Sequence, residues 1–169
     1  MDIVVARGSV ALDFVVRPCV EEDLPGLEWM GLYAPHREII AKAFQAQRRG
    51  DALMLLAVAS GFPVAQAWVD LARKPNRRTA VLWAVRTFPP LRGLGIGRHL
   101  MLAAEAVLRD RGIVRAELGV ERDNPGARRF YERLGYHAAG PLSEVFGYVT
   151  PQGLPVEVAL DEWLMVKEL

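Results

Sequence analysis

The chain has 169 residues, 51% of them hydrophobic and 24% charged, with a formal net charge of +1. That is the size and balance of one globular domain able to bury a core, and so small a net charge gives no general argument for nucleic acid or an acidic membrane surface as partner. The single Cys19 excludes an intrachain disulfide framework and a cysteine-rich metal site, and His36, His99 and His137 lack metal-ligand spacing, so no metal is expected.

The opening segment MDIVVARGSVALDF has neither a basic leader nor a long apolar core, which predicts no secretory signal. No apolar run approaches the ~18 residues of a membrane span, and a cytoplasmic protein is the expectation. Within residues 1–10, Ile3-Val4-Val5 reads as either an added edge strand or a frayed arm. Leu12–Arg17 is a predicted strand, ended by Pro18. From Cys19 a helix opens with Glu21, Glu22 and Asp23 in its first turn, where acids suit the helix dipole, and Pro25 and Gly26 blur its limits. A second helix is expected over Pro35–Arg49, with Ile39, Ile40, Ala43 and Phe44 as its apolar stripe and Gly50 as its C-cap.

Leu53–Ala59 is continuously apolar and reads as a buried strand. Ser60-Gly61-Phe62-Pro63 turns the chain back into Val64–Leu71. Arg73 to Arg78 turns it again, and Thr79–Thr87 completes a three-stranded meander. The basic residues of the second turn read as a solvated tip.

The segment Leu82–Arg98, LWAVRTFPPLRGLGIGR, organises the rest. A buried strand is stopped by Pro89 and Pro90, a glycine loop follows, and a helix then runs to about Arg111 with Ile96, Leu100, Met101, Ala104, Val107 and Leu108 on one face. Strand, glycine loop and helix start together hold a phosphate well. The first helical turn offers unpaired N–H groups and partial positive charge. Glycine lets the backbone approach, and Arg92 adds a cationic fork. The nucleotide-triphosphate loop is excluded because no Lys follows the glycines, and the G-x-G-x-x-G fingerprint fails because Arg98 and Leu100 fall on its last position. The pattern that fits is Arg-x-x-Gly-x-Gly at Arg92, Gly95 and Gly97, with a turn that serves packing alone as the plain alternative.

Beyond Gly112, Val114–Val120 is the next strand. Asn124-Pro125 is an N-cap followed by proline in the first helical position, and the helix Gly126–Leu134 ends at Gly135. Ala127, Phe130, Tyr131 and Leu134 share one side of it. Tyr136–Ala139 starts the last sheet segment, Phe146–Tyr148 and Val156–Val158 flank a turn at Pro151-Gln152-Gly153, and Trp163–Val166 closes the chain. Val156–Val166 is long and apolar enough to be an exposed edge, from which a homodimer is a possible reading.

The Arg92–Gly97 loop resembles the acyl-coenzyme A pyrophosphate loop of the GCN5-related N-acetyltransferase (GNAT) superfamily. Asn124 to Tyr136, NPGARRFYERLGY, resembles that superfamily's N-x-x-A-x-x-x-Y-x-x-x-G-[FY] segment and follows in the family's order. The resemblance implies a single α/β (α+β) domain over residues 1–169. Its sheet is mixed but mostly antiparallel, with helices on both faces and two central parallel strands that splay apart to admit the cofactor, here Thr79–Thr87 and Val114–Val120. The implied reaction is transfer of an acetyl group from acetyl-CoA to a primary amine of a small molecule or peptide. The pyrophosphate would sit on the main chain of Gly93, Leu94, Gly95, Ile96, Gly97 and Arg98, with Arg92 beside it. The pantetheine arm would pair with the main chain near Val85 and Thr87. Asn124 is read as either a partner of that arm or a helix cap, and Tyr131 as the general acid, a phenol being protonated at neutral pH.

Some family members carry a carboxylate base on the strand before the loop, but Thr79–Thr87 contains none. Glu28, Asp70, Glu117, Glu121, Glu157, a water chain and His36 then remain as candidate bases. By analogy Trp29, Tyr33 and Tyr148 wall the acceptor site, between the Trp29–Arg37 segment and the Tyr148–Pro155 turn. The missing carboxylate keeps open a non-catalytic acyl-CoA-binding sensor or partner subunit. A nucleotide-binding oxidoreductase, suggested by Glu117 about 20 residues past the glycines, has the wrong glycine spacing.

Overall fold

The computed structural model describes residues 8–74, 76 and 78–169. The expectation for Ile3–Val5 therefore lies outside the described residues, as do Pro75 and Arg77 of the basic turn. Seven strands form one sheet, in the spatial order β1-β2-β3-β4-β5-β7-β6. They are β1 (Val15–Pro18), β2 (Ala52–Ala59), β3 (Phe62–Asp70), β4 (Thr79–Thr87), β5 (Arg115–Glu121), β6 (His137–Val149) and β7 (Pro155–Glu168). Every neighbouring pair is antiparallel except β4 with β5.

Among the described residues the α-helices are α1 (Arg37–Arg49), α2 (Ile96–Asp110) and α3 (Pro125–Arg133). Ile40, Ala43 and Phe44 of α1 pack on one face of the sheet with Met54, Leu56, Val58 and Trp68. Ile96, Leu100, Met101, Ala104 and Leu108 of α2 pack on the other, over Leu55, Ala67, Val69 and Leu82. With helices on both faces, nearly all of β2 and β3 is buried, which explains their continuous rather than alternating apolar character. Among the described residues no helix is long and apolar enough to cross a membrane.

Three expectations need correction. The helix after Cys19 is a 3-10 helix over Glu21–Glu28. Pro25 lies inside it and cannot donate a main-chain hydrogen bond. Asp23 fixes its start instead, accepting the Val20 N–H at 2.9 Å and two bonds from Arg17 at 2.6 and 2.8 Å. The closing strand is far longer than Trp163–Val166, and β7 lies between β5 and β6. Val156–Val166 is therefore not an edge, and the reason for expecting a dimer there is gone; β1 and β6 are the edges. Finally, the basic turn is not a free tip, because Arg73 pairs with Glu144 and Lys74 with Glu117.

Candidate active site

The sheet comes apart between β4 and β5. The two strands pair only through Thr79, Ala80 and Val81, opposite Arg115, Ala116 and Glu117. Beyond that point β4 remains bonded to β3 as far as Thr87, and β5 to β7 as far as Glu121. Each strand thus presents an inner edge whose main-chain donors and acceptors have no ladder partner across the gap, and such groups need partners from elsewhere. At the mouth of the gap β4 bulges. Its register against β3 slips between Gln66 and Trp68, and Ala84 adopts φ 49°, a left-handed conformation that costs an L-residue roughly 1–2 kcal/mol. The bulge leaves Trp83 and Ala84 packed on the α1 side and Val85 on the α2 side.

On the α2 side the chain leaves Thr87 through a short 3-10 turn at Pro89–Leu91 and enters the glycine loop. Gly93 and Gly95 have φ 79° and 84°, and Gly95 is the N-cap of α2. Both positions exact glycine through their backbone conformation. Leu94 is exposed and Ile96 anchors the helix in the core. The first-turn N–H groups of Ile96, Gly97 and Arg98 point away from the helix with no intrahelical partner. Gly97 is needed for a different reason: a Cβ there would meet the Thr87 hydroxyl at 3.3 Å and the Phe130 ring at 3.6 Å. The loop is thereby drawn against both the end of β4 and helix α3. Arg92 is exposed and donates its Nε–H to the Thr87 carbonyl at 3.3 Å.

Helix α3 starts as its sequence predicts. Asn124 Oδ1 accepts the Ala127 N–H at 3.0 Å, and Pro125 occupies the first turn. Capping uses the oxygen of the Asn124 amide and leaves its NH2 group for another acceptor. Tyr131 is 8% exposed, with its ring edge-on to Phe130 (5.1 Å) and Tyr136 (5.8 Å). Burial pushes its phenol well above the usual range, so it holds its proton through neutral pH. The far end of α3 is pinned by a buried ion pair. Lys167 of β7 bonds Glu105 Oε2 of α2 and the Leu134 carbonyl, both at 2.6 Å. Glu105 is fully buried and was invisible in a helix read for its apolar face. The pair ties α2, α3 and β7 together and so fixes where Tyr131 stands.

On the α1 side the gap opens into a cavity of about 520 Å³. Its walls come from Tyr33, His36 and Ile39, from Trp83 and Arg86 of β4, from Gly119 of β5, and from Phe146 and Glu162 of the β6–β7 hairpin. Of the three aromatic residues expected here, Tyr33 lines the cavity. Tyr148 stands one layer back, stacked on His36 at 4.5 Å. Trp29 does not contribute: it is 2% exposed, and its indole N–H donates to the Pro63 carbonyl at 2.7 Å, which makes it a core residue. Phe146 takes its place in the wall.

The candidate bases separate clearly. The Arg37 guanidinium holds Glu28 below the usual carboxylate range. Burial acts to raise Glu117, but Lys74 at 2.7 Å and Arg115 at 2.8 Å prevail and hold it down. Asp70 is occupied by the Ala72 and Arg73 N–H groups, each at 2.9 Å. Glu157 is exposed and lies outside the cavity. Glu121 lines the cavity from an exposed position. His36 is half-buried, and burial, then the nearby Arg86, lower its pKa and keep it neutral.

The residue that sequence reasoning missed is Glu162. Its carboxylate lies directly on Gly119, where a Cβ would come within 2.6 Å of the carboxyl carbon. Glu162 has no ion pair or side-chain hydrogen bond among the described residues. Burial, then Glu144 and Glu121, push its pKa up. The only signals in sequence were a glycine inside strand β5 and an acid in an apolar strand, and they lie 43 positions apart, a spacing that β5–β7 pairing alone resolves. No group of three or more potential metal ligands occurs among the described residues.

A model of the acetyltransferase (GNAT) family matches residues 21–136. Over 76 residues the chain is 37% identical to a mycothiol acetyltransferase of Beutenbergia cavernae, a match covering 45% of this chain and 25% of that protein. The chain therefore spans about a quarter of the length of that curated relative. Among solved structures, the ribosomal-protein-alanine N-acetyltransferase of Brucella melitensis superposes with a TM-score of 0.73 at 24% identity, over 92% of this chain and 99% of that one. The PaiA N-acetyltransferase of Thermoplasma acidophilum, determined in complex with coenzyme A, does so with a TM-score of 0.65 at 19% identity, over 93% and 99%.

Proposed function

Because this chain belongs to the acetyltransferase (GNAT) family, we propose that it is an acetyl-CoA-dependent N-acetyltransferase that acylates a primary amine held in the α1-side cavity. One observation carries the reading. The β4–β5 gap joins a glycine loop with unpaired first-turn N–H groups on one side of the sheet to a cavity with an unpaired carboxylate on the other. The pyrophosphate of acetyl-CoA is assigned to the N–H groups from Gly93 to Arg98, with Arg92 adding charge. The arm that follows is assigned to the inner edge of β4 at Val85 and Thr87, with the Asn124 NH2 group as a further donor.

Glu162 takes a proton from the incoming ammonium, directly or through one water, and the neutral amine attacks the thioester carbon. A carboxyl group raised by burial and by neighbouring acids is a better base than a free one. Main-chain N–H groups on the unpaired edge of β4 donate to the carbonyl oxygen as it gains charge. As the carbon–sulfur bond breaks, Tyr131 gives its proton to the departing sulfur; the nitrogen, now bonded to the acyl carbon, sheds its extra proton to solvent, and the phenolate regains one from solvent. A buried phenolate is costly, so the phenol is well suited to giving its proton only as the thiolate forms.

The reading is tested by thermal unfolding with acetyl-CoA, followed by thiol release with a panel of amines. Ligand at 100 times its Kd adds about 2.7 kcal/mol, which for a domain of this size raises Tm by roughly 5–11 °C. The rise is expected in the native chain and is expected to fall by about half or more, at the same acetyl-CoA concentration, in Arg92→Glu. No shift at millimolar acetyl-CoA sinks the proposal.

A further inference from the structure

We propose that the acceptor amine also carries an anionic group, a carboxylate or a phosphate, and that Arg86 binds it. The proposal rests on the acetyltransferase reading and concerns the other end of the same cavity. Strand β4 places Val85 in the core under α2 and turns Arg86 to the α1 face, where it lines the cavity. The Arg86 guanidinium lies over the Tyr33 ring at 4.3 Å.

What marks Arg86 is the lack of a counter-ion. The other cations of the cavity wall are matched, Arg73 by Glu144 and Lys74 by Glu117. The Arg86 guanidinium has no ion pair and donates no hydrogen bond among the described residues. Three of the five carboxylates that line the wall are engaged elsewhere: Glu117 with Lys74 and Arg115, Glu144 with Arg73, Asp70 with main-chain N–H groups; Glu121, which is exposed, and Glu162 form no ion pair with Arg86. Glu162 is influenced by Glu144, Glu121 and Arg73, and not by Arg86. Burial lowers the pKa of Arg86, and among the described residues Tyr33 acts to raise it.

Buried charges in proteins are almost always paired. An aromatic face offsets part of the cost, but five N–H donors in a fixed fork still ask for an acceptor. That fork matches the two oxygens of a carboxylate or phosphate. His36, kept neutral beside it, brings no competing charge. The cavity is thus polarised: a lone carboxylate over Gly119 faces the reacting amine, and a lone guanidinium over Tyr33 awaits an anion. Amino acids and phosphorylated amines fit such a site.

The test compares probes, product-like or substrate-like, whose binding needs no turnover. In the presence of saturating coenzyme A, thermal unfolding is followed with a panel of N-acetyl-L-amino acids against their N-acetyl amides, and with O-phosphoethanolamine against ethanolamine. The native chain is expected to bind at least one anionic probe about ten- to a hundredfold more tightly than its neutral counterpart, the range for hydrogen bonds to a charged group. Arg86→Gln should abolish the preference, and Arg86→Lys should keep part of it. Without ligand, Arg86→Gln should melt no lower than the native chain, since it removes a half-buried charge that has no counter-ion. A native chain without the preference overturns the proposal, and so does an Arg86→Gln protein that retains it. The acid and phosphate arms say which anion is bound. Acetyl-CoA alone is run beside them. If it fails to raise Tm, the acetyltransferase reading falls, while an anion preference that depends on Arg86 would still stand.

Discussion

The two sides of the β4–β5 gap are built by different means. On the α2 side, the proposed contacts to the acyl donor fall to main-chain groups, and the side chains matter for staying small or for capping. On the α1 side a cavity is assembled from side chains of β4, β5, the hairpin and the segment before α1, drawn from positions far apart in the chain. The first side is local in sequence and generic in what it binds. The second is non-local and specific. A chain that keeps the first and varies the second would retain its acyl donor while changing its acceptor.

Substitutions can break that contrast, and Tyr131→Phe should do most. Loss of a general acid costs about 10²–10⁴ in rate, read as a fall in kcat for thiol release, with the acetyl-CoA Tm shift unchanged. A Phe variant with native kcat would return Tyr131 to the core as a packing residue. Next comes Glu162→Gln, expected to cost about 10² in kcat/KM at neutral pH. A base works ionised, and the Glu162 pKa is raised, so native activity should fall as pH drops through that raised value. The variant's profile should lose this acidic limb; if the limb survives, another group is the base.

Arg92→Glu should be milder. Reversing one exposed charge near a pyrophosphate should weaken acetyl-CoA by about tenfold or more, in line with the contribution of a charge-assisted bond, and leave kcat at saturation near native. A change in the acceptor's KM with no change in the donor's would blur the two sides. Trp29→Phe should do least to the reaction. It strands the Pro63 carbonyl, at a cost of about 1–3 kcal/mol, visible as a Tm lower by several degrees. The acceptor's KM should not move, and if it does, Trp29 reaches the substrate after all.

Legibility followed the same division. Gly93, Gly95 and Gly97, the Asn124 cap and the β4 and β5 strands could be read because each requirement falls within a few residues: a positive φ, a close approach, an N–H to satisfy. Glu162 could not be read. Its role depends on β7 running beside β5 and on Gly119 having no side chain, neither of which leaves a local pattern. Glu117 and Glu28 looked equally available in sequence, and only their partners, Lys74, Arg115 and Arg37, showed them to be spent. The length of β7 was hidden by Glu157, Asp161 and Glu162, which break the apolar run of a strand that is half-exposed in its outer part.

The short pairing of β4 with β5 also has a consequence for solvent exchange. From Leu82 to Thr87 one edge of β4 is locked to β3 and the other faces the gap. In the free protein the amides of a single strand should therefore fall into two classes. Those directed at β3 should exchange only through large openings, and those directed at the gap should exchange far sooner. Hydrogen exchange with and without acetyl-CoA would show the second class slowing to join the first, so that the donor completes the sheet as one more strand would.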